Sequence, residues 1–207
     1  MRKYFPTGLL LLVVFSCAEL RESRGQQWYA LFDGKSLANW RVGNNAASFS
    51  VDSGMIIVHG KTAHLFYDGE ILNHDFTNFE FKAEVMTYPG ANSGIYIHTA
   101  FQERGWPDKG YEVQVNNSHT DWRRTGSLYG INDVREVYVK DYEWYTEYIR
   151  VEGKKITIRI NDKTVVEYTE PDDVKRPLRR LSSGTFALQG HDPASIVHYR
   201  NIQVRPL

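Results

Sequence analysis

Apolar and polar residues alternate with a period of two through most of the chain. In Phe79-Glu80-Phe81-Lys82-Ala83-Glu84-Val85 the odd positions are apolar and the even ones charged, the pattern of a strand with one dry and one wet face. Lys155-Ile156-Thr157-Ile158-Arg159-Ile160 repeats it. Asn161-Asp162-Lys163 then supplies turn residues, and Thr164-Val165-Val166-Glu167-Tyr168 returns as the second arm of a hairpin. Further strands are predicted over 49–58, 63–67, 93–101, 110–116, 144–152, 184–189 and 196–205, with loops at Asp33-Gly34, Pro89-Gly90, 102–109, 117–124 and Pro171 to Ser183. No segment sustains an apolar 3.6-residue period long enough for a core helix. Many strands with one dry face each predict an all-β fold of two packed antiparallel sheets, a β-sandwich or jelly roll.

The polar faces carry the functional information. In Gly110-Tyr111-Glu112-Val113-Gln114-Val115-Asn116 the two valines point to the core, and Glu112, Gln114 and Asn116 share the opposite face. In Asn92-Ser93-Gly94-Ile95-Tyr96-Ile97-His98 the two isoleucines are core, so Tyr96 and His98 are expected on the outer face. If the two strands pair, Glu112, Gln114, Tyr96 and His98 form one polar and aromatic patch. A third segment, Thr185-Phe186-Ala187-Leu188-Gln189-Gly190-His191, adds Gln189 on the non-core face and His191 in the loop beyond it. A merely solvated sheet surface is the plain alternative for any one of these strands.

Charge and cysteine content narrow the partners. Lys plus Arg and Asp plus Glu are both 25, which leaves no net field to attract nucleic acid or an anionic membrane. The 13 Tyr and 5 Trp suit a sugar-binding surface, although a sandwich core absorbs aromatics equally well. Arg2 and Lys3 precede the apolar run Gly8 to Phe15, too short to span a membrane, and the run ends at Val14-Phe15-Ser16-Cys17. This resembles a bacterial lipobox, in which the cysteine is lipidated and becomes the new N-terminus. Residues 1–27 are therefore expected to be signal and tether, and 28–207 a single exported domain. It would be held on the periplasmic or cell-surface side, its only membrane contact the lipid at Cys17. Cys17 is the only cysteine, so the folded part can hold no disulfide and no cysteine-ligated zinc.

Several stretches in order resemble one family. Leu31-Phe32-Asp33-Gly34-Lys35-Ser36-Leu37-Ala38-Asn39-Trp40 looks like the opening of the 3-keto-disaccharide hydrolases, formerly a domain of unknown function. Asn92-Ser93-Gly94-Ile95-Tyr96, Gly110-Tyr111-Glu112-Val113-Gln114, Thr125-Gly126-Ser127-Leu128-Tyr129-Gly130, Leu188-Gln189-Gly190-His191 and Tyr199-Arg200-Asn201-Ile202 follow. The resemblance implies a concanavalin A-like lectin/glucanase jelly roll, an exported location and action on glycosides oxidised to a ketone at C3. The chain departs from the family at Asn117, where members commonly have Asp, and at His98, where many have Arg.

A C3 ketone acidifies the neighbouring C2–H, so a base that removes this proton lets the C1 aglycone leave by elimination, after which water can add. Glu112 is the expected base, with His98 or His191 as partner acid or ketone-polarising group. Asn92, Gln114 and Gln189 are candidate donors to sugar hydroxyls or to the enolate, and Tyr96, Tyr129 and Trp144 candidate ring platforms. No convincing second carboxylate for direct displacement is evident; Asp121 and Asp133 sit in loops. No cofactor is required, but a divalent metal held by Glu112, His98 and His191 is the alternative. Two other readings remain on the same fold: a non-catalytic carbohydrate-binding lipoprotein and a structural surface domain.

Overall fold

The computed structural model describes Met1 and residues 27–207. The apolar run, the lipobox and Cys17 lie outside the described residues. Two antiparallel sheets stack face to face. The larger contains β1 (Tyr29–Ala30), β3 (Phe49–Asp52), β4 (Met55–His59), β6 (Phe79–Thr87), β9 (Tyr145–Glu152), β10 (Lys155–Ile160), β11 (Lys163–Thr169) and β13 (Ile196–Pro206). Its order is β11-β10-β9-β6-β13-β4-β3, with β1 paired to β13. The smaller has β2 (Trp40–Val42), β5 (Ala63–Tyr67), β7 (Ser93–Thr99), β8 (Tyr111–Val115) and β12 (Thr185–Gly190), in the order β2-β5-β12-β7-β8. Among the described residues no helix is long and apolar enough to cross a membrane.

Alternation sorts the residues as expected. Phe79, Phe81, Ala83 and Val85 of β6 are buried between the sheets, where Phe76, Phe79 and Phe81 surround Phe186 of β12 at ring separations of 4.8–4.9 Å. On the outer face of the larger sheet Glu80 accepts from Tyr148 at 2.8 Å and pairs with Arg150 and Arg205. The expected strand over 49–58 is instead a hairpin. Ser53 and Gly54 both have positive φ, 49° and 79°, which suits a two-residue turn between right-twisting strands and pairs Asp52 with Met55.

The smaller sheet differs from a half-solvated one in a way that matters for function. Its strands β5, β7, β8 and β12 are buried on both faces. One face packs on the larger sheet. The other, expected to be wet, lies under loops.

Candidate active site

The outer face of the smaller sheet forms the floor of a cleft of about 450 Å³. Period-two geometry delivers Asn92, Gly94 and Tyr96 from β7 and the segment before it, Glu112 and Gln114 from β8, Gln189 from β12 and His64 from β5. Register places Tyr96 opposite Glu112, Gly94 opposite Gln114, and Gln189 opposite His64. Glu112 is the centre. Its Oε2 accepts the Tyr96 hydroxyl at 3.0 Å and its Oε1 accepts Gln189 Nε2 at 2.7 Å. The carboxylate lies over Gly94, where a Cβ would stand 2.5 Å from Oε1.

Burial sets the electrostatics. Glu112 is 9 % exposed, and desolvation pushes its carboxyl up to about 7, even though Tyr96, Gln189, Arg179 and His191 all pull the other way. Burial also raises the Tyr96 phenol, with the Glu112 charge adding to the effect, so Tyr96 stays a donor. His64 stands edge-on to Tyr96 and to Trp106, each at 5.4 Å, and burial lowers it to about 4, with the His191 charge second. Its Nε2 and the Oε1 atoms of Gln114 and Gln189 have no hydrogen-bond partner among the described residues. Gln114 and Gln189 are 1 % and 2 % exposed, so these orphaned acceptors suit the hydroxyl hydrogens of a bound ligand.

Loops supply the walls. Residues 125–129 run beside β8, with Gly126 N–H on Gln114 O at 2.9 Å and Tyr129 N–H on Glu112 O at 3.0 Å, which brings the Tyr129 ring to the cleft. Arg179 reaches in and donates to the Tyr129 carbonyl. The connection between neighbours β7 and β8 is a strap that crosses the sheet to its far edge. Phe101 packs on Phe66 of β5 at 5.4 Å under the Arg41 guanidinium, and the Glu103 carbonyl accepts Asn44 N–H at 2.9 Å. The strap returns with Trp106, Pro107 and Asp108 lining the cleft and separates it from a second recess of about 270 Å³.

Of the expected site residues, the structure brings together Glu112, Tyr96, Gln114, Gln189, Asn92, Tyr129 and His191. His98 is not among them. It has φ of 52° and sits in a bulge where Ile97 and His98 oppose the single residue Phe186, so the extra residue reverses the alternation. Its ring packs on Phe79 at 5.5 Å, its Nε2 bonds the Thr77 carbonyl at 2.9 Å and its Nδ1 accepts Ser182 N–H at 3.2 Å. Burial lowers it to about 4, so it is a neutral internal brace. The metal set of Glu112, His98 and His191 is therefore not assembled. Trp144 is no ring platform either: it precedes β9 of the larger sheet, with the Arg200 guanidinium 3.9 Å over its ring. Asn117 bridges Thr87 and Thr125 at 2.7 and 2.6 Å, away from the cleft, and Asp121 and Asp133 both pair with Arg123. Sequence reasoning missed Trp106 and Arg179, which lie in loops where no periodicity points, and His64, whose apolar neighbours concealed an outward position.

The fold and the site together are a jelly roll with a polar, aromatic-walled cleft over one sheet. The chain belongs to the 3-keto-alpha-glucoside-1,2-lyase-like domain family, whose profile matches residues 27–205. It is similar in structure to two candidate glycosyl hydrolases from Parabacteroides distasonis. One is 19% identical, with a TM-score of 0.74 and 94% of this chain and 98% of that one covered. The other is 24% identical, with a TM-score of 0.69 and coverage of 87% and 100%. The carbohydrate-binding module CBM66 of Bacillus subtilis shares the fold at 11% identity and a TM-score of 0.56, covering 81% of this chain and 95% of that module. No curated protein matches the chain.

Proposed function

We propose that the protein cleaves glycosides whose sugar carries a ketone at C3, with Glu112 as the general base. The observation that carries this is the state of Glu112: a carboxylate held by two donors on the floor, raised by burial to about 7, where a base is strong yet still ionised in part at neutral pH. Such a base fits removal of a carbon-bound proton made acidic by an adjacent ketone. The amides take a different role from donors to an enolate. Gln114 Nε2 is engaged by Asn92 Oδ1 at 3.0 Å and Gln189 Nε2 by Glu112, so their free Oε1 atoms accept from sugar hydroxyls. The Arg179 guanidinium is the cation in the cleft suited to the developing oxyanion, and Tyr129 and Trp106 offer ring faces.

The test is a panel of 3-keto-glucosides incubated with the purified protein and read by mass. Cleavage is expected, with Glu112→Gln slower by about 10²–10⁴ and binding changed far less. A deuterium at C2 slows the reaction where proton removal limits it. Glycosides with an ordinary C3 hydroxyl are expected to be inert. Fast cleavage of those would overturn the enolate route and bring in Asp108, the other carboxylate on the wall, for direct displacement. Tight binding of the ketosugars with no turnover would favour a non-catalytic carbohydrate-binding protein.

A further inference from the structure

His119, His191 and Asp192 meet at the mouth of the cleft, with ligand-type atoms within 4.8 Å of one another. Such a trio invites a metal ion, but its hydrogen bonds are arranged for something else. A histidine on a metal donates its other ring N–H outward. His119 does the reverse: its Nδ1 accepts the Asp121 backbone N–H at 3.0 Å, with the Asn92 amide nitrogen at 3.4 Å. Asn92 is oriented in turn, because its Oδ1 accepts from Gln114. His119 is thereby held as the Nε2–H tautomer, with no lone pair on Nε2 for a cation. Asp192 is committed too. Its Oδ1 accepts Ala194 N–H at 2.8 Å and Ser195 N–H at 3.1 Å, and its Oδ2 accepts the Ser195 hydroxyl at 2.8 Å and meets His191 Nδ1 at 2.7 Å.

A carboxylate held by so many donors takes the proton-bearing Nδ1 of its histidine and leaves Nε2 free to exchange a proton with a ligand. Depth then separates the two acid–base groups. Glu112 lies buried on the floor, whereas His191 is half-buried against Trp106, itself 48 % exposed at the opening. Both groups line the same cleft, so a sugar bound with C2–H at Glu112 and its aglycone at the mouth would bring the C1–O bond toward His191.

We propose that His191, oriented by Asp192, is the general acid that protonates the departing aglycone, a role that rests on the 3-keto-glycoside reading above. Glu112 takes the C2 proton, and the C–H electron pair forms the C2=C3 enolate. The enolate reforms the C3 carbonyl as the C1=C2 bond forms and the C1–O bond breaks. The aglycone oxygen leaves with that electron pair and receives the Nε2 proton of His191. Water afterwards returns a proton to His191 and removes one from Glu112. Asp192 is the positioning residue, and His119 is left as a donor beside it.

Two 3-keto-glucosides separate the roles: a methyl glycoside, whose alkoxide needs a proton to leave, and a 4-nitrophenyl glycoside, whose phenolate does not. For His191→Gln and Asp192→Asn, kcat on the methyl glycoside should fall by about 10²–10³, and on the nitrophenyl glycoside by less than about fivefold. Glu112→Gln should lose activity on both. A far-downfield proton NMR line from His191 Nδ1–H should be present in the wild type and absent from Asp192→Asn, a change that a purely structural turn would not produce. If Asp192→Asn does not fold, His191→Gln carries the same comparison. Equal losses on the two aglycones, or none, would overturn the assignment while leaving Glu112 in place. Wild-type protein inert on both glycosides would instead remove the underlying reading, and this role with it. Loss of activity on chelation, restored only by a divalent cation, would overturn the dyad in favour of a metal centre.

Discussion

Glu147 is the least expected group in the interior, and replacing it with Met should stabilise the protein. It lies on β9 among Tyr145, Ile149 and Val151, side by side with Ala83 of β6 and Ile160 of β10, fully buried, and neither carboxylate oxygen has a partner among the described residues. The nearby Gly126 N–H is engaged by the Gln114 carbonyl. Burial pushes the carboxyl well above its ordinary value of 4.5, so the folded protein holds a proton that the unfolded chain releases. An unsatisfied buried polar group costs about 1–3 kcal/mol. Methionine matches glutamate in length without that cost, and for a chain of this size the gain corresponds to a melting temperature higher by about 2–12 °C. The pH dependence follows from the same shift. Where the native state binds more protons than the unfolded state, stability falls as pH rises. The Glu147 contribution declines from about 4.5, and Glu112 acts in the same direction up to about 7, whereas His64 and His98, lowered by burial to about 4, act in the opposite direction up to about 6.5. Calorimetry from pH 4 to 9 should show the gain from Glu147→Met growing as pH rises above about 4.5, and a further such gain on adding Glu112→Gln. The His64 and His98 contributions are common to all three proteins and cancel in the differences. A Met variant that melts at or below the wild-type temperature at pH 7, with an unchanged pH slope, would refute the reasoning.

Three further outcomes are expected. Gly94→Ala puts a Cβ 2.5 Å from Glu112 Oε1 and 2.9 Å from its Cγ, so the carboxylate must move; a displacement of about 1 Å lowers kcat/KM by about 10²-fold, measured beside the melting temperature. Trp106→Ala should raise KM for a ketosugar by about two- to tenfold through lost stacking, whereas Trp144→Ala, on the other sheet, should leave KM unchanged. Cys17→Ser should move the protein from the membrane fraction to the soluble one in cells, and equal partitioning would remove the lipid anchor; reductant should leave the melting temperature unchanged, since no other cysteine exists.

The strands were legible because alternation is a local property: Phe79 to Val85 and Lys155 to Ile160 declare their faces without reference to any partner. The floor of the cleft was legible for the same reason, since Glu112, Gln114, Tyr96 and Gln189 follow from parity once two apolar neighbours are assigned to the core. Parity fails at His98, because the bulge exists only in relation to Phe186, far along the chain. Ser53-Gly54 could be read as a turn only by breaking the 49–58 segment at its polar centre, Asp52-Ser53-Gly54, rather than running one strand through it. Arg179 and Trp106 reach the cleft through contacts of Gly110 with Leu178 and of Asn44 with Glu103, which no local pattern encodes. Trp144 was an aromatic residue beside a strand, and nothing within its own segment says which sheet that strand joins.

The strap between β7 and β8 bears on how the binding surface comes into being during folding. Its anchor at the far edge is Asn44, near the start of the described chain, while the donor that holds Glu112 is Gln189, near its end. The floor strands, their wall and the two acid–base groups are thus drawn from almost the full length of the polypeptide. A growing chain that stops short of β12 has neither a central floor strand nor a fixed carboxylate, however well its earlier hairpins have formed. Competence to bind arrives late and all at once, when the last strands dock, and no fragment of the sandwich should retain it.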